Sequence, residues 1–234
     1  MRKAMVLGVL AVAGTLASPA FAADDFTGFR IQLTLGDEQL EGTYVDDFLG
    51  PNDINTGRFG YSLGGGWALN RYLAVEANLR SGSSFNQDVF PDFVDAIEVF
   101  PPTPPAPATP PPNQPAFYKV RNDIKGIDAS VVGSWWIGNK FSLFGRAGFY
   151  AWRAETTYSW GDYDAATPNR FLDAADDNGF APLFGVGFQT VLDGALVRFE
   201  YQRTDVGDLT SGVDFSQDDN IISSLNFSIV WTLH

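Results

Sequence analysis

The chain contains no cysteine. Disulfides, thiolate nucleophiles and cysteine metal sites are excluded with it. Histidine occurs once, as His234. A serine–histidine–acid arrangement would have to use that last residue, so no enzyme activity is expected. After residue 22 no stretch offers eighteen consecutive apolar residues, and no transmembrane helix is expected. Positive charge is scarce: 15 Lys and Arg stand against 28 Asp and Glu, a formal net charge of -13. That balance argues against nucleic acid as a partner. The carboxylates lack the spacing of a calcium loop, and neither a metal nor a cofactor is expected.

What is present begins with an export signal at residues 1–22. Arg2 and Lys3 supply a positive start, Met5 to Ala13 is apolar, and Ala20-Phe21-Ala22 is a small-x-small cleavage site. A membrane anchor is the alternative, but Gly14, Thr15, Ser18 and Pro19 interrupt the apolar run. Residues 23–234 suit a single domain.

Eight stretches of that domain alternate apolar and polar residues, the period of a strand with two different faces. They are Gly28 to Gly36, Arg58 to Leu69, Tyr72 to Arg80, Ile124 to Ile137, Phe141 to Glu155, Phe180 to Val191, Ala195 to Arg203 and Ile221 to Leu233. In Ala195 to Arg203, Val197, Phe199 and Tyr201 oppose Arg198, Glu200 and Gln202. In the last stretch Leu225, Phe227, Ile229, Trp231 and Leu233 oppose Ser224, Asn226, Ser228 and Thr232, with Val230 as the exception. Val132 and Trp136 are similar exceptions in the fourth. Runs of this length match tilted strands crossing a bilayer, and eight is an even number. The connections alternate too. Asn70-Arg71, Gly138-Asn139-Lys140 and Leu192-Asp193-Gly194 are short; the others are long and acidic. The expectation is an all-β fold, an eight-stranded antiparallel up-and-down transmembrane barrel with short periplasmic turns and long extracellular loops.

The apolar faces are rich in Phe, Tyr and Trp, as a lipid-facing band would be. The polar face is then the interior. It carries Arg30, Glu76, Asp128, Arg146, Gln189, Arg198 and Glu200, residues of both signs that could neutralise one another as a network. Eight strands leave an interior that side chains can fill, which disfavours a wide pore. A soluble lipocalin-like periplasmic carrier is the competing reading; it would place these charges outside. The first and last strands must pair, because an open backbone edge is not tolerated in hydrocarbon.

Residues 101–116, PPTPPAPATPPPNQPA, hold nine prolines and read as an exposed polyproline spacer. The acidic loops include Asp37, Glu38, Glu41, Asp46, Asp47 and Asp53; Asp162, Asp164, Asp173, Asp176 and Asp177; and Asp205, Asp208, Asp214, Asp218 and Asp219.

Two segments, Phe144 to Glu155 and Asp177 to Asp208, together with Tyr72 to Glu76, resemble the transmembrane domain of the OmpA family. Gly-Phe-x-Pro-x-Phe at the start of the sixth stretch and Arg198 to Gln202 (RFEYQ) carry most of the likeness. The resemblance implies an eight-stranded barrel, a periplasmic N-terminus, insertion by the outer-membrane assembly machinery, and an interior salt-bridge network with Glu76, Arg146, Arg198 and Glu200. Val132 stands where the family has an interior lysine, and Gln189 where it has a glutamate. That departs from the family's charge-switch gate. No peptidoglycan-binding domain is expected after His234. The expected setting is the outer membrane of a Gram-negative bacterium, with lipid and lipopolysaccharide as neighbours, a surface ligand of undetermined chemistry, and a monomeric state. The expected role is non-enzymatic, envelope-structural or surface-presenting, with a narrow porin-like channel as the alternative.

Overall fold

A computed structural model describes residues 27–46, 50–89, 116–162, 170–210 and 215–233. They form nine strands in one antiparallel sheet: β1 (Gly28–Asp46), β2 (Gly50–Ala68), β3 (Leu73–Gly82), β4 (Phe85–Val89), β5 (Ala116–Ile137), β6 (Phe141–Asp162), β7 (Arg170–Leu192), β8 (Ala195–Thr210) and β9 (Phe215–Leu233). β1 pairs with β2 and with β9, Phe29 opposite Leu233 and Gly36 opposite Asn226. β3 pairs with β2 and with β5. Every strand except the five-residue β4 therefore has a backbone partner on both sides.

The count is nine rather than eight because β3, which holds the third stretch, ends at Gly82, and pairing with β5 resumes beyond Ser83–Ser84 as β4. Arg80 faces Gly126 and Phe85 faces Asn122, so five steps on one strand oppose four on its partner. One extra residue reverses which parity points inward. Arg80 and Phe85 are both buried as a result. Side-chain bonds tie β4 to β2: Asn55 N donates to Gln87 Oε1 at 3.1 Å, and Thr56 Oγ1 to Asn86 O at 2.7 Å. The short connections are tight. Asn70 Oδ1 accepts from Tyr72 N and Leu73 N at 2.8 and 2.9 Å. Asp193 and Gly194 take φ of 47° and 83°, the Asp-Gly signature of a two-residue hairpin turn.

Apart from β3 and β4, the strands run well beyond the expected stretches, and the reason is a reversal of polarity along them. In the first half of β1, Phe29, Ile31 and Leu33 are exposed while Arg30, Gln32 and Thr34 are buried. Further on, Leu40 is buried and Asp37, Gln39 and Glu41 are exposed. β2 repeats the switch, with Ile54 buried in one half and Leu63 and Trp67 exposed in the other. Several residues expected in acidic loops are therefore strand residues. Asp37, Glu38, Glu41 and Asp46 lie in β1, Asp53 in β2, Asp162 in β6, Asp173, Asp176 and Asp177 in β7, Asp205 and Asp208 in β8, and Asp218 and Asp219 in β9. The export signal at 1–22, Asp47, Asp164, Asp214, the Pro-rich 101–116 segment up to residue 115, and His234 fall outside the described residues.

Candidate functional site: a buried charge network

The half of the sheet with exposed apolar residues encloses the charges. Five buried arginines (Arg30, Arg58, Arg80, Arg146, Arg198) accompany four buried carboxylates (Glu38, Glu76, Asp128, Glu200) among the described residues. Each comes from an even-numbered position, the inward parity of its strand in that half.

Glu76 on β3 is the hub. Arg198 Nη1, from β8, donates to both its carboxylate oxygens at 2.8 and 2.9 Å. Arg146 Nη2, from β6, donates to Glu76 Oε2 at 2.9 Å, and Arg30 Nη1 lies 3.8 Å from Oε1. Arg146 turns its Nε toward Glu200 Oε1 at 3.1 Å and has Asp128 at 3.8 Å. Asp128 Oδ1 also accepts from Asn78 Nδ2 at 2.8 Å. Gln189 accepts from Arg198 Nε at 2.7 Å and donates to Ser142 and Ser134 at 2.8 and 3.1 Å. All seven interior residues singled out in the sequence thus lie in one connected set. The three arginines and three carboxylates of this set balance, which a low-dielectric interior requires.

A second knot, not singled out in the sequence, sits toward the far end. Glu38 accepts from Arg58 Nε at 2.7 Å and from Arg80 Nη2 at 3.0 Å. Arg58 also donates to Ile124 O at 2.8 Å and stacks 4.2 Å over Phe85. Arg80 lies 4.9 Å over Tyr150. Glu38 lies beyond the first alternating stretch, which ends at Gly36, but within β1. Arg58 and Arg80 carried the same parity signal as the others and could have been found by it.

Apolar side chains bound the charges on both sides. Near the short turns Trp136, Leu196 and Val230 form one cluster, and Ala68, Ala74, Val132 and Phe144 another. The exceptions to the alternation in the sequence are these plugs. Beyond the Glu38 knot, Leu40, Ile54, Phe85, Ile124, Leu183 and Ile222 belong to a larger apolar cluster, all buried. Between them lies a cavity of about 10 Å³, lined by Gln32, Glu38, Asn78, Arg80, Asp128, Arg146 and Glu200 among others. That is room for one water.

Glycine makes space for the network. A methyl on Gly66 would overlap the Val75 carbonyl and come within 2.9 Å of Glu76 Cγ. Backbone cannot yield there as a side-chain tip could. Gly66→Ala is expected to cost about 1–3 kcal/mol. Gly133→Ala is expected to cost little, because nothing lies within 4 Å of its added methyl. Urea midpoints of the two variants, refolded in detergent, check the contrast; equal midpoints would refute it.

The described residues contain no group of three His, Asp or Glu side chains placed to hold a metal ion. A family model described as "Outer membrane protein beta-barrel domain" matches residues 8–231. No curated protein matches the chain. Among solved structures, Neisserial surface protein A is similar at 12% identity and TM-score 0.49, covering 88% of this chain and 98% of that one. OprG of Pseudomonas aeruginosa has 11% identity and TM-score 0.49, with coverage of 88% and 98%. Ail, the attachment invasion locus protein of Yersinia pestis, has 12% identity and TM-score 0.41, with coverage of 87% and 99%.

Proposed function

Because this chain belongs to the outer membrane protein β-barrel domain family, we propose that it is a narrow porin-like barrel with a charged interior, closed in its resting state. It is a non-enzymatic protein of the outer membrane of a Gram-negative bacterium. In this reading the circuit of strands makes eight staves, with β3 and β4 counted as one. The short turns and the N-terminus face the periplasm, and the long connections, including the Pro-rich segment, face outward. Residues 1–22 serve as the export signal, and the outer-membrane assembly machinery inserts the rest among lipid and lipopolysaccharide as a monomer.

One observation carries the channel reading: nine charged side chains are buried where an inert barrel needs none. A buried ion pair rarely gains stability over well-packed apolar residues of similar volume. Charged rings along an interior are what an ion path uses. Conduction requires Arg146 and Arg198 to swing off Glu76 and the apolar clusters to part. The small cavity and those clusters support the second reading, an envelope-structural or surface-presenting barrel that never opens.

Planar-bilayer recordings decide between them. The channel reading expects discrete currents from the refolded protein. Glu76→Gln should open more often and favour anions, since three arginines then lose their shared counter-charge. Arg198→Gln should shift selectivity toward cations. Silence from all three, with folded protein verified by heat-modifiable migration, would leave the structural reading.

A further inference from the structure

The outer face of the sheet carries a groove of about 450 Å³ at its short-turn end, lined by Tyr72, Gly133, Trp135, Leu143 and Gly145, with Ser134 and Phe144 at its base. Its floor is a glycine pair, Gly133 opposite Gly145 on β5 and β6. Packing does not require these glycines. An added methyl at Gly133 meets nothing within 4 Å, and one at Gly145 meets only Gly185 O at 3.9 Å. Neither residue has a positive φ. The depression is shallow and open, with Trp135, 74% exposed, standing beside the gap and Leu143 opposite it. Tyr72 is held at the third side, its carbonyl accepting from Ser134 N at 2.8 Å.

The short turns below the groove each carry one cation, Arg71 beside the Tyr72 wall and Lys140 just before β6. Arg71 reaches from the β2–β3 turn to the β5–β6 turn, donating to Gly138 O at 3.3 Å. Its guanidinium lies 5.5 Å from the Tyr72 ring and 5.3 Å from that of Trp136, and its own carbonyl accepts from Trp136 Nε1 at 2.6 Å. Lys140 is exposed in the second of these turns. In a chain of net charge -13, both turns below the groove carry a cation and no acid. Asp193, the acid of the third short turn, lies between β7 and β8.

An apolar furrow along the lipid face, ending in fixed positive charge at the interface, has the polarity of one membrane lipid. We propose that this groove binds a phospholipid with an anionic headgroup, its acyl chain over Gly133 and Gly145 between Trp135, Tyr72 and Leu143, and its phosphate against Arg71 with Lys140 beside it. The site rests on the orientation proposed above, which places the short turns and this lipid in the periplasmic leaflet. It does not depend on conduction.

The test uses refolded full-length protein in detergent, titrated separately with phosphatidylglycerol and phosphatidylcholine and read by native mass spectrometry. One phosphatidylglycerol should be retained in preference to phosphatidylcholine. Arg71→Ala with Lys140→Ala should erase that preference, a loss of roughly fivefold per cation removed. Gly145→Leu, at a position where an added Cβ meets only Gly185 O at 3.9 Å, should fill the groove and reduce retention of both lipids while the protein stays folded by heat-modifiable migration. Equal retention of the two lipids by the wild type, or an unchanged preference in the double variant, would overturn the site. Quenching of tryptophan by phospholipid brominated in one leaflet of proteoliposomes, compared between wild type and Trp135→Phe, reads orientation separately. Lipid preference with quenching from the opposite leaflet would refute the orientation and leave the binding chemistry standing.

Discussion

Replacing Glu76 with alanine is expected to destabilise the folded protein by about 3–5 kcal/mol, the cost of breaking a buried ion pair from one side. The carboxylate takes three close bonds from Arg146 and Arg198 and has Arg30 within 3.8 Å. Without it three guanidinium groups share a space from which water is nearly excluded. Among the described residues of this set, Glu200 and Asp128 remain as counter-charges, both paired with Arg146. The double variant Glu76→Ala with Arg198→Ala should recover part of the loss, because it removes the cation most dependent on Glu76. Urea unfolding in lipid vesicles measures both. A loss below about 1 kcal/mol for Glu76→Ala, set against that 3–5 kcal/mol scale, would mean the guanidinium groups find water or other partners.

Val131→Arg should cost about 2–4 kcal/mol, the penalty for a cation at the midplane of a lipid-facing strand. Val131 is outward on β5, midway along the run of exposed apolar residues from Ile127 to Ile137. Asn55→Arg is the control. Asn55 is also outward and exposed, but on the half of β2 whose outer face is polar, and a change there should stay within about 0.5 kcal/mol. In a water-soluble protein both substitutions would be near neutral. Equal small effects in vesicle-embedded protein would therefore refute the membrane-facing assignment of Val131.

The sequence revealed the strands best where one face was uniformly apolar. Phe29 to Leu35 and Leu225 to Leu233 could be identified as strands that must meet, and their pairing follows that expectation. Val132, Trp136 and Val230 break the alternation in the sequence, and the structure makes them the apolar floor beneath the charges. The outer halves were hidden by the same signal that exposed the inner ones. When polarity reverses, an acidic residue such as Asp37 or Glu41 marks an outward strand position, and a strand then reads as a polar loop. The extra residue between Arg80 and Phe85 compounded this, since it changes the inward parity from even to odd. Partners in the network were beyond reach for a different reason. Arg198 and Glu76 are 122 positions apart and meet only through the register of strands between them. Parity says that two side chains point inward; it does not say at what height.

The reversal of polarity along the long strands also makes the molecule a gauge of bilayer thickness. An apolar collar of about 25 Å is the usual height for this class. Here it ends abruptly, with Leu35 followed two places on by Asp37, and Ile127 preceded two places back by Lys125. Sinking deeper by one pleat would drag those charges into hydrocarbon, and rising by one would bring Phe29 and Leu233 into water. Tilting relieves a mismatch for a single helix, but a sheet whose long strands are paired on both sides cannot tilt one strand alone, and must press the surrounding lipid to its own height. The protein's neighbours, more than the protein, would therefore adjust when membrane composition changes.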